Sequence, residues 1–353
     1  MISCTSPRRT ALSFGLPFSA CHPRRGTALR RRHSPLSALT TAIALLVVSL
    51  PALSQTAPHP SVATKGIGGN TFDGPGDVRY VPRPDSVDRR IDMFFGDWRE
   101  SLPRAQFGSL VLRDILTRGD NLSPPAKGAV LQSANFLAFG RLAAGASTLS
   151  STLTGQQEVF YIMAGEGEVS TPGKTVALHK DIAILMPQGI PFTLHSTGTE
   201  DLTMYVIDEP VPAGFRPIPQ MLMTDERKVA VRTPLVPSPY TNPGASGHWA
   251  HVVRDLFNTS DGLATLGDVI TVEINPLSLG EPHPHLPGKE EVWLAIDGTS
   301  LAFYGPQLRV QHPGTAYMLR PDAMVQHSNI NTSDQPVKFL WFNTNTGFST
   351  LKR

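Results

Sequence analysis

The chain has 353 residues, 40% hydrophobic and only 17% charged, with 32 prolines and 30 glycines. That length holds two compact domains, and a turn-rich composition of this kind suits an all-β protein. The formal charge of +2 hides an asymmetry: seven arginines and no acid precede Gln55, so the remainder carries 24 basic and 29 acidic residues, net −5 (24 − 29). With no basic patch interleaved with aromatics in that remainder, nucleic acid is excluded as a partner.

From the N-terminus, Arg30-Arg31-Arg32-His33 leads into an apolar run from Leu36 to Leu50, too short to span a bilayer comfortably. Pro51-Ala52-Leu53-Ser54 then offers small residues where a signal peptidase cuts. The pattern predicts a signal peptide over 1–54, a periplasmic or secreted chain starting at Gln55, and no stable membrane anchor after cleavage. An anchor retained uncleaved is the alternative, and the paired arginines leave both general secretory and twin-arginine export open. Cys4 and Cys21 lie before the cut, so the mature chain has neither thiol nor disulfide.

Residues 55–105, rich in Gly, Pro and Asp, read as an extended arm with one short helix near Arg89 to Met93. Strand-like runs follow at Ser109 to Leu116, Val130 to Phe139 and Ala146 to Leu149, each bounded by turn residues. An internal repeat then sets the architecture. Leu110 to Leu116 is echoed by His251 to Phe257, Gly155 to Gly165 by Gly288 to Gly298, His179 by His312, and Met186 to Gly189 by Arg320 to Ala323. Two copies, 106–210 and 246–353, are joined by a proline-rich linker, 211–245, whose Asp225-Glu226-Arg227-Lys228 reads as a solvated run on the surface.

Only the second copy carries a cluster of metal-ligand residue types. His283 and His285 are two residues apart, so in an extended strand both rings leave from one face. Glu291 follows a Pro287-Gly288 turn at the head of the apolar run Val292 to Ile296, which stops at Asp297-Gly298, a dipeptide suited to a tight hairpin. His327 lies between two later β-like runs, next to Gln326, with which a one-residue slip would exchange it. Three imidazoles and one carboxylate on adjacent strands make a ligand set for a divalent transition metal.

Gly280 to Asn331 resembles the two signature motifs of the cupin superfamily: His-x-His, Glu and Gly in the first, Pro-x-Gly, His and Asn in the second. The resemblance extends over both copies and implies tandem eight-stranded jelly-roll barrels, with His283, His285, Glu291 and His327 as ligands. Three departures stand out. Five residues separate His285 from Glu291, one extra residue lies between Pro321 and His327, and Ala323 takes the place of the second motif's Gly. Glu290 would restore the first gap but spoil the spacing to Gly298. Counting back from Glu158 by the second copy's spacing puts Ser150 and Thr152 at the two histidine positions of the first copy, and Phe192 at the third. The first barrel is therefore expected to be metal-free and structural, with Glu158 a satisfied partner of the arm or a turn.

Nitrogen and oxygen ligation without sulfur suits one ion of Mn, Fe, Ni, Co, Cu or Zn and does not rank them. Four protein ligands leave positions for water, dioxygen or a chelating substrate. The resemblance to double-domain cupins such as quercetin and gentisate dioxygenases and oxalate decarboxylases implies an oxidoreductase of the dioxygenase type acting on a small oxygenated aromatic or organic acid. A non-redox isomerase, lyase or decarboxylase, and a non-catalytic small-molecule binding module, are the alternatives. Arg254, Arg309, Arg320 and Lys289 are candidates to hold a substrate carboxylate, and Glu290, Glu281 and Asp322 are candidate bases, each also readable as a solvated acid. Trp293, Phe303, Tyr304, Trp341 and Phe342 read as barrel core, and Trp249 as a candidate for the pocket mouth. A homo-oligomer of undefined order is compatible with the arm and edge strands.

Overall fold

The structure, a computed structural model, describes residues 89–232, 250–285 and 287–344. The signal peptide, the arm before residue 89, Trp249 and the linker after residue 232 lie outside them. Among the described residues all regular structure is β-strand apart from four short 3₁₀ helices, and no helix is long and apolar enough to cross a membrane.

Four sheets form two barrels. In the first, the strands Leu222–Asp225, Ile182–Met186, Gln156–Ala164, Leu202–Pro210, Phe136–Leu142, Leu110–Arg118 and Pro103–Gln106 make a large sheet in that order. Its four-stranded partner runs Ser151–Thr152, Pro191–Ser196, Gly167–Thr171, Lys174–Leu178. In the second barrel the large sheet is Phe95–Asp97, Thr315–Leu319, Glu291–Asp297, Val337–Thr344, Leu266–Ile274, His251–Asn258. Its partner is Ser278–Leu279, His327–Asn331, Ser300–Tyr304, Gln307–Gln311. This is the tandem jelly-roll architecture that the repeat implies.

Central strands of both large sheets are buried on both faces, which is why Val292 to Ile296 and Val159 to Ile162 read as unbroken apolar runs. Phe160, Ile162, Phe192, Leu194, Met204 and Val206 fill the first barrel. Their strand neighbours Val159, Tyr161 and Ile207 point the other way and join the apolar residues of the second barrel in one continuous cluster. The two barrels thus share a core across their large sheets.

The short helix expected near Arg89 to Met93 is present as the 3₁₀ helix Arg89–Phe94. Several other local expectations need correction. The arm is not merely extended at its end: Phe95–Asp97 pairs with Thr315 to Tyr317 of the second barrel, and Pro103–Gln106 belongs to the first barrel's sheet. Gly96 makes this crossing possible, because a Cβ there would sit 1.8 Å from the carbonyl oxygen of Ile115. The run Val130 to Phe139 splits into Ala129–Leu131 and Phe136–Leu142, and Ala146 to Leu149 contributes a single bridge, Ser147 to His195. Asp297-Gly298 does not close a hairpin. With Gly298 at φ 73° and a bulge before Asp297, the chain leaves one sheet and re-enters the other at Ser300. Within the linker, Leu222–Asp225 pairs with Ile182 to Leu185, and Glu226 is buried rather than solvated.

Three buried carboxylates cross between the barrels. Glu290 of the second accepts hydrogen bonds from Asn121 Nδ2 (2.7 Å), Ser133 Oγ (2.6 Å) and the Ser133 backbone N–H (2.9 Å) of the first. Glu209 of the first accepts from the backbone N–H groups of Thr265 and Leu266, both at 2.9 Å. Glu226 accepts from Tyr161 on one side and from Thr271 and Lys338 on the other. Glu290 is therefore not a solvated acid beside a turn. Glu290→Ala should cost on the order of 3–5 kcal/mol, because it strands several buried donors at once; a denaturant midpoint unchanged from wild type would contradict this.

Inside the first barrel Glu158 and Asp208 face each other across paired strands. Gln106 donates to Glu158 at 2.5 Å and Asn135 to Asp208 at 2.5 Å. Burial, reinforced for Glu158 by the Asp208 charge, pushes Glu158 up, and burial pushes Asp208 up to about 6. A carboxyl raised in the folded state stabilises it fully below the unfolded value and loses that contribution as pH rises through the folded one. Between about pH 4 and pH 6 the wild type should therefore lose up to about 3 kcal/mol that Asp208→Asn does not lose. Parallel stability–pH curves for the two proteins would exclude this.

Candidate metal centre

The first strand of the second motif begins at His327, and His283 pairs with it through an isolated bridge, with backbone N–H to carbonyl contacts of 3.1 and 3.2 Å in both directions. This register turns His327 inward, 1% exposed, and leaves Gln326 outside. Glu291 opens the central strand and points the same way as Trp293 and Ala295. A backbone bond from Gly288 N to the Pro321 carbonyl, 2.8 Å, ties the loop before Glu291 to the loop before His327. Ala323, in the place of the motif's glycine, has φ 59°, while its counterpart Gly189 has φ 85°. The backbone keeps the left-handed turn although the residue that favours it is gone.

The donor nitrogens of His283, His285 and His327 all lie within 4.8 Å of one another. His285 Nε2 is 3.0 Å from His327 Nε2. Glu291 adds one oxygen 2.8 Å from His285 Nε2 and the other 3.3 Å from His327 Nε2. Two donors that share an ion at about 2.1 Å and at right angles stand about 3.0 Å apart. The three contacts thus fall near that donor-to-donor spacing, although His285 and His327 meet different oxygens of Glu291. At such distances imidazole nitrogens and a carboxylate need a proton or a metal cation between them, and one divalent ion would serve all of them at once. The residues therefore fit a divalent ion, and the longer His285-to-Glu291 spacing does not take the acid out of reach.

Neighbouring groups select the donor atoms. His283 Nδ1 donates to the Glu281 carbonyl at 2.6 Å, and Tyr317 Oη lies 3.0 Å from His327 Nδ1, so both rings are left with Nε2 for the cluster. Trp293 Nε1 donates to Glu291 Oε1 at 2.5 Å. Burial raises the Glu291 carboxyl, but the flanking His285 and His327 outweigh it and hold the group well below the usual carboxylate range. Burial, with Glu291 nearby, holds the Tyr317 phenol well above its ordinary range, so it stays protonated.

A cavity of about 670 Å³ opens on this cluster, lined by His285, Glu291, Lys289, Trp293, Trp341 and Asp268 among others. The volume is that of a small-molecule site. Of the aromatics expected in the core, Trp293, Tyr304 and Phe342 are buried there, with Trp293 also lining this cavity, while Trp341 is a half-buried wall of it and Phe303 is half-buried. Glu281 contributes its backbone carbonyl, and Asp322 pairs with Arg320 at 2.6 Å.

The corresponding place in the first barrel keeps the carboxylate, Glu158, but has no imidazole at the histidine positions. Phe192 pairs with Ser151 as His327 pairs with His283, so the equivalents of the histidine pair are Ser151 and Leu153, not Ser150 and Thr152. The one-residue offset is the extra residue before Glu291 (eight positions from His283 to Glu291, seven from Ser151 to Glu158). Phe192 packs against Phe107 and Phe160 at 5.1 and 6.1 Å between ring centroids. His195 lies away from this interior, bonded to Ser147 Oγ at 2.8 Å.

Residues 138–208, in the first barrel, match the family model of the cupin domain. A comparison with curated protein sequences finds no match. Among solved structures, a protein of Pseudomonas aeruginosa described as glyoxylate-induced is similar with a TM-score of 0.54 and 14% identity, over 69% of this chain and 84% of that one. AerE of Microcystis aeruginosa is similar at 0.51 and 12%, over 71% and 99%. The 7S globulin of Momordica charantia is similar at 0.50 and 11%, over 72% and 84%. At these identities the structures speak for the fold alone. The domain match falls on the first barrel, and the two-barrel chain has the fold of these structures, which is consistent with a cupin protein.

Proposed function

We propose that the protein is an exported, mononuclear metal-dependent oxidoreductase of the dioxygenase type, acting on a small oxygenated molecule held in the cavity of the second barrel. The observation that supports this reading is the cluster of His283, His285 and His327, with ring nitrogens within 4.8 Å of one another, and Glu291 set against His285 and His327, beside a cavity of about 670 Å³ that His285 and Glu291 line. His283, His285, Glu291 and His327 would hold the ion. Bound there, a divalent metal supplies Lewis-acid polarisation and, where it is redox-active, electrons to dioxygen. The chain's own contribution is positional: Glu281 and Tyr317 orient two rings, and Trp293 steadies the carboxylate. A second reading, non-redox lyase or isomerase chemistry, draws on Asp268, a carboxylate in the same cavity with a place for proton transfer.

Metal analysis of the purified mature protein should find about one ion per chain, bound at least tenfold more weakly in His327→Ala. Oxygen uptake with phenolic and organic acids should depend on that ion. Metal-dependent turnover that persists without oxygen would favour the lyase reading, and a chain free of stoichiometric metal would end both.

Export is supported by the arginine-rich start, the Leu36 to Leu50 run and the small residues before Gln55. Protein recovered from a periplasmic or secreted fraction should begin at Gln55 on N-terminal sequencing; a membrane-bound chain that keeps the leader would contradict it.

A further inference from the structure

The sequence left four cations as candidates to hold a substrate anion, and their partners in the structure separate them. Arg254 is bound to Glu273 at 2.6 Å. Arg309 is buried and bound to Asp92 at 2.6 Å and to Gln307 at 2.7 Å. Arg320 is bound to Asp322 at 2.6 Å. Each is committed to a partner, and none of the three lines the cavity beside the metal cluster. A fifth cation, Arg232, does line that cavity but is bound to Asp255 at 2.8 Å.

Lys289 differs on both counts. It lines the cavity together with His285 and Glu291, and among the described residues its side chain has neither a hydrogen bond nor an ion pair. The cavity's other carboxylates are engaged elsewhere: Asp255 with Arg232, Asp268 with Asn343 Nδ2 at 3.3 Å, and Glu291 with two imidazoles. The chain also gives this lysine a fixed base. It follows Gly288, whose N–H is bonded to the Pro321 carbonyl, and precedes Glu290, anchored on the first barrel. A half-buried lysine on a held loop, lining an open cavity whose carboxylates are each bound to other groups, is a binding point for an anion.

We infer that Lys289 receives the carboxylate of a small organic acid bound in this cavity, with the rest of the molecule lying toward the Glu291 side. The inference rests on the reading of the cavity as the substrate site and narrows the substrate class to acids. Lys289 acts as a specificity residue: it binds the anion and leaves the metal cluster intact.

The test uses benzoate and its neutral isostere benzamide as probes on the full-length chain, followed by calorimetry or by the fluorescence of Trp293 and Trp341, which line the cavity. Wild type should prefer benzoate to benzamide by about ten- to a hundredfold. Lys289→Gln should remove most of that preference by weakening benzoate alone, while unchanged benzamide binding shows that the cavity is intact. Lys289→Arg should restore a substantial part. Equal affinity of wild type for the two probes, or a Lys289→Gln variant that keeps the wild-type preference, would overturn the inference. Metal content is measured on the same samples. A Lys289-dependent preference in a chain with no stoichiometric metal supports the anion site while removing the metal reading, so the two failures are told apart.

Discussion

The second barrel's site depends on a carboxylate that is not part of it. Glu290 reaches across the inter-barrel interface and accepts hydrogen bonds from Asn121 and Ser133 of the first barrel. It is 1% exposed, so each lost bond would leave a buried polar group without a partner. Because adjacent strand residues point to opposite faces, pinning Glu290 outward fixes Glu291 inward, where it meets His285 and His327. The first barrel thus shapes the chemistry of the second without lending it a ligand. Glu209, anchored on Thr265 and Leu266, reciprocates from the other side.

Duplication followed by divergence explains the contrast between the two interiors. Both barrels keep the glutamate at the head of the central strand, but the surroundings give it opposite characters. Glu291 stands among imidazoles and stays ionised, whereas Glu158 stands beside Asp208 and is driven toward the protonated form. Where one barrel has His327, the other has Phe192 packed on two further phenylalanines. One interior is a polar cluster beside an open cavity; the other is filled.

Much of this was legible in the residues, and the parts that were not share a cause. The facing of the histidine pair, and Glu291 rather than Glu290 turning toward it, follow from local spacing and strand alternation, which are short-range properties; His327 over Gln326 needed the register of its pairing with His283. The burial of Glu226 and Glu290 was not legible, because it depends on partners far away in the chain; Ser133 is 157 positions from Glu290. The counterparts of the histidine pair were misplaced by one residue because a loop insertion shifts the count without altering the strands around it. Lys289 stood level with three arginines until each arginine's partner was known, and a strand-edge cation carries no sequence mark of whether it is paired.

The apolar cluster that runs from Val159, Tyr161 and Ile207 into Val292, Leu294 and Leu340 has no boundary between the halves. Neither half, cut away, would keep its large sheet covered, since the surface uncovered is interior rather than rim. The repeat in this chain is therefore not a seam in the packing: separating the halves would lay open apolar surface of each large sheet that is now interior.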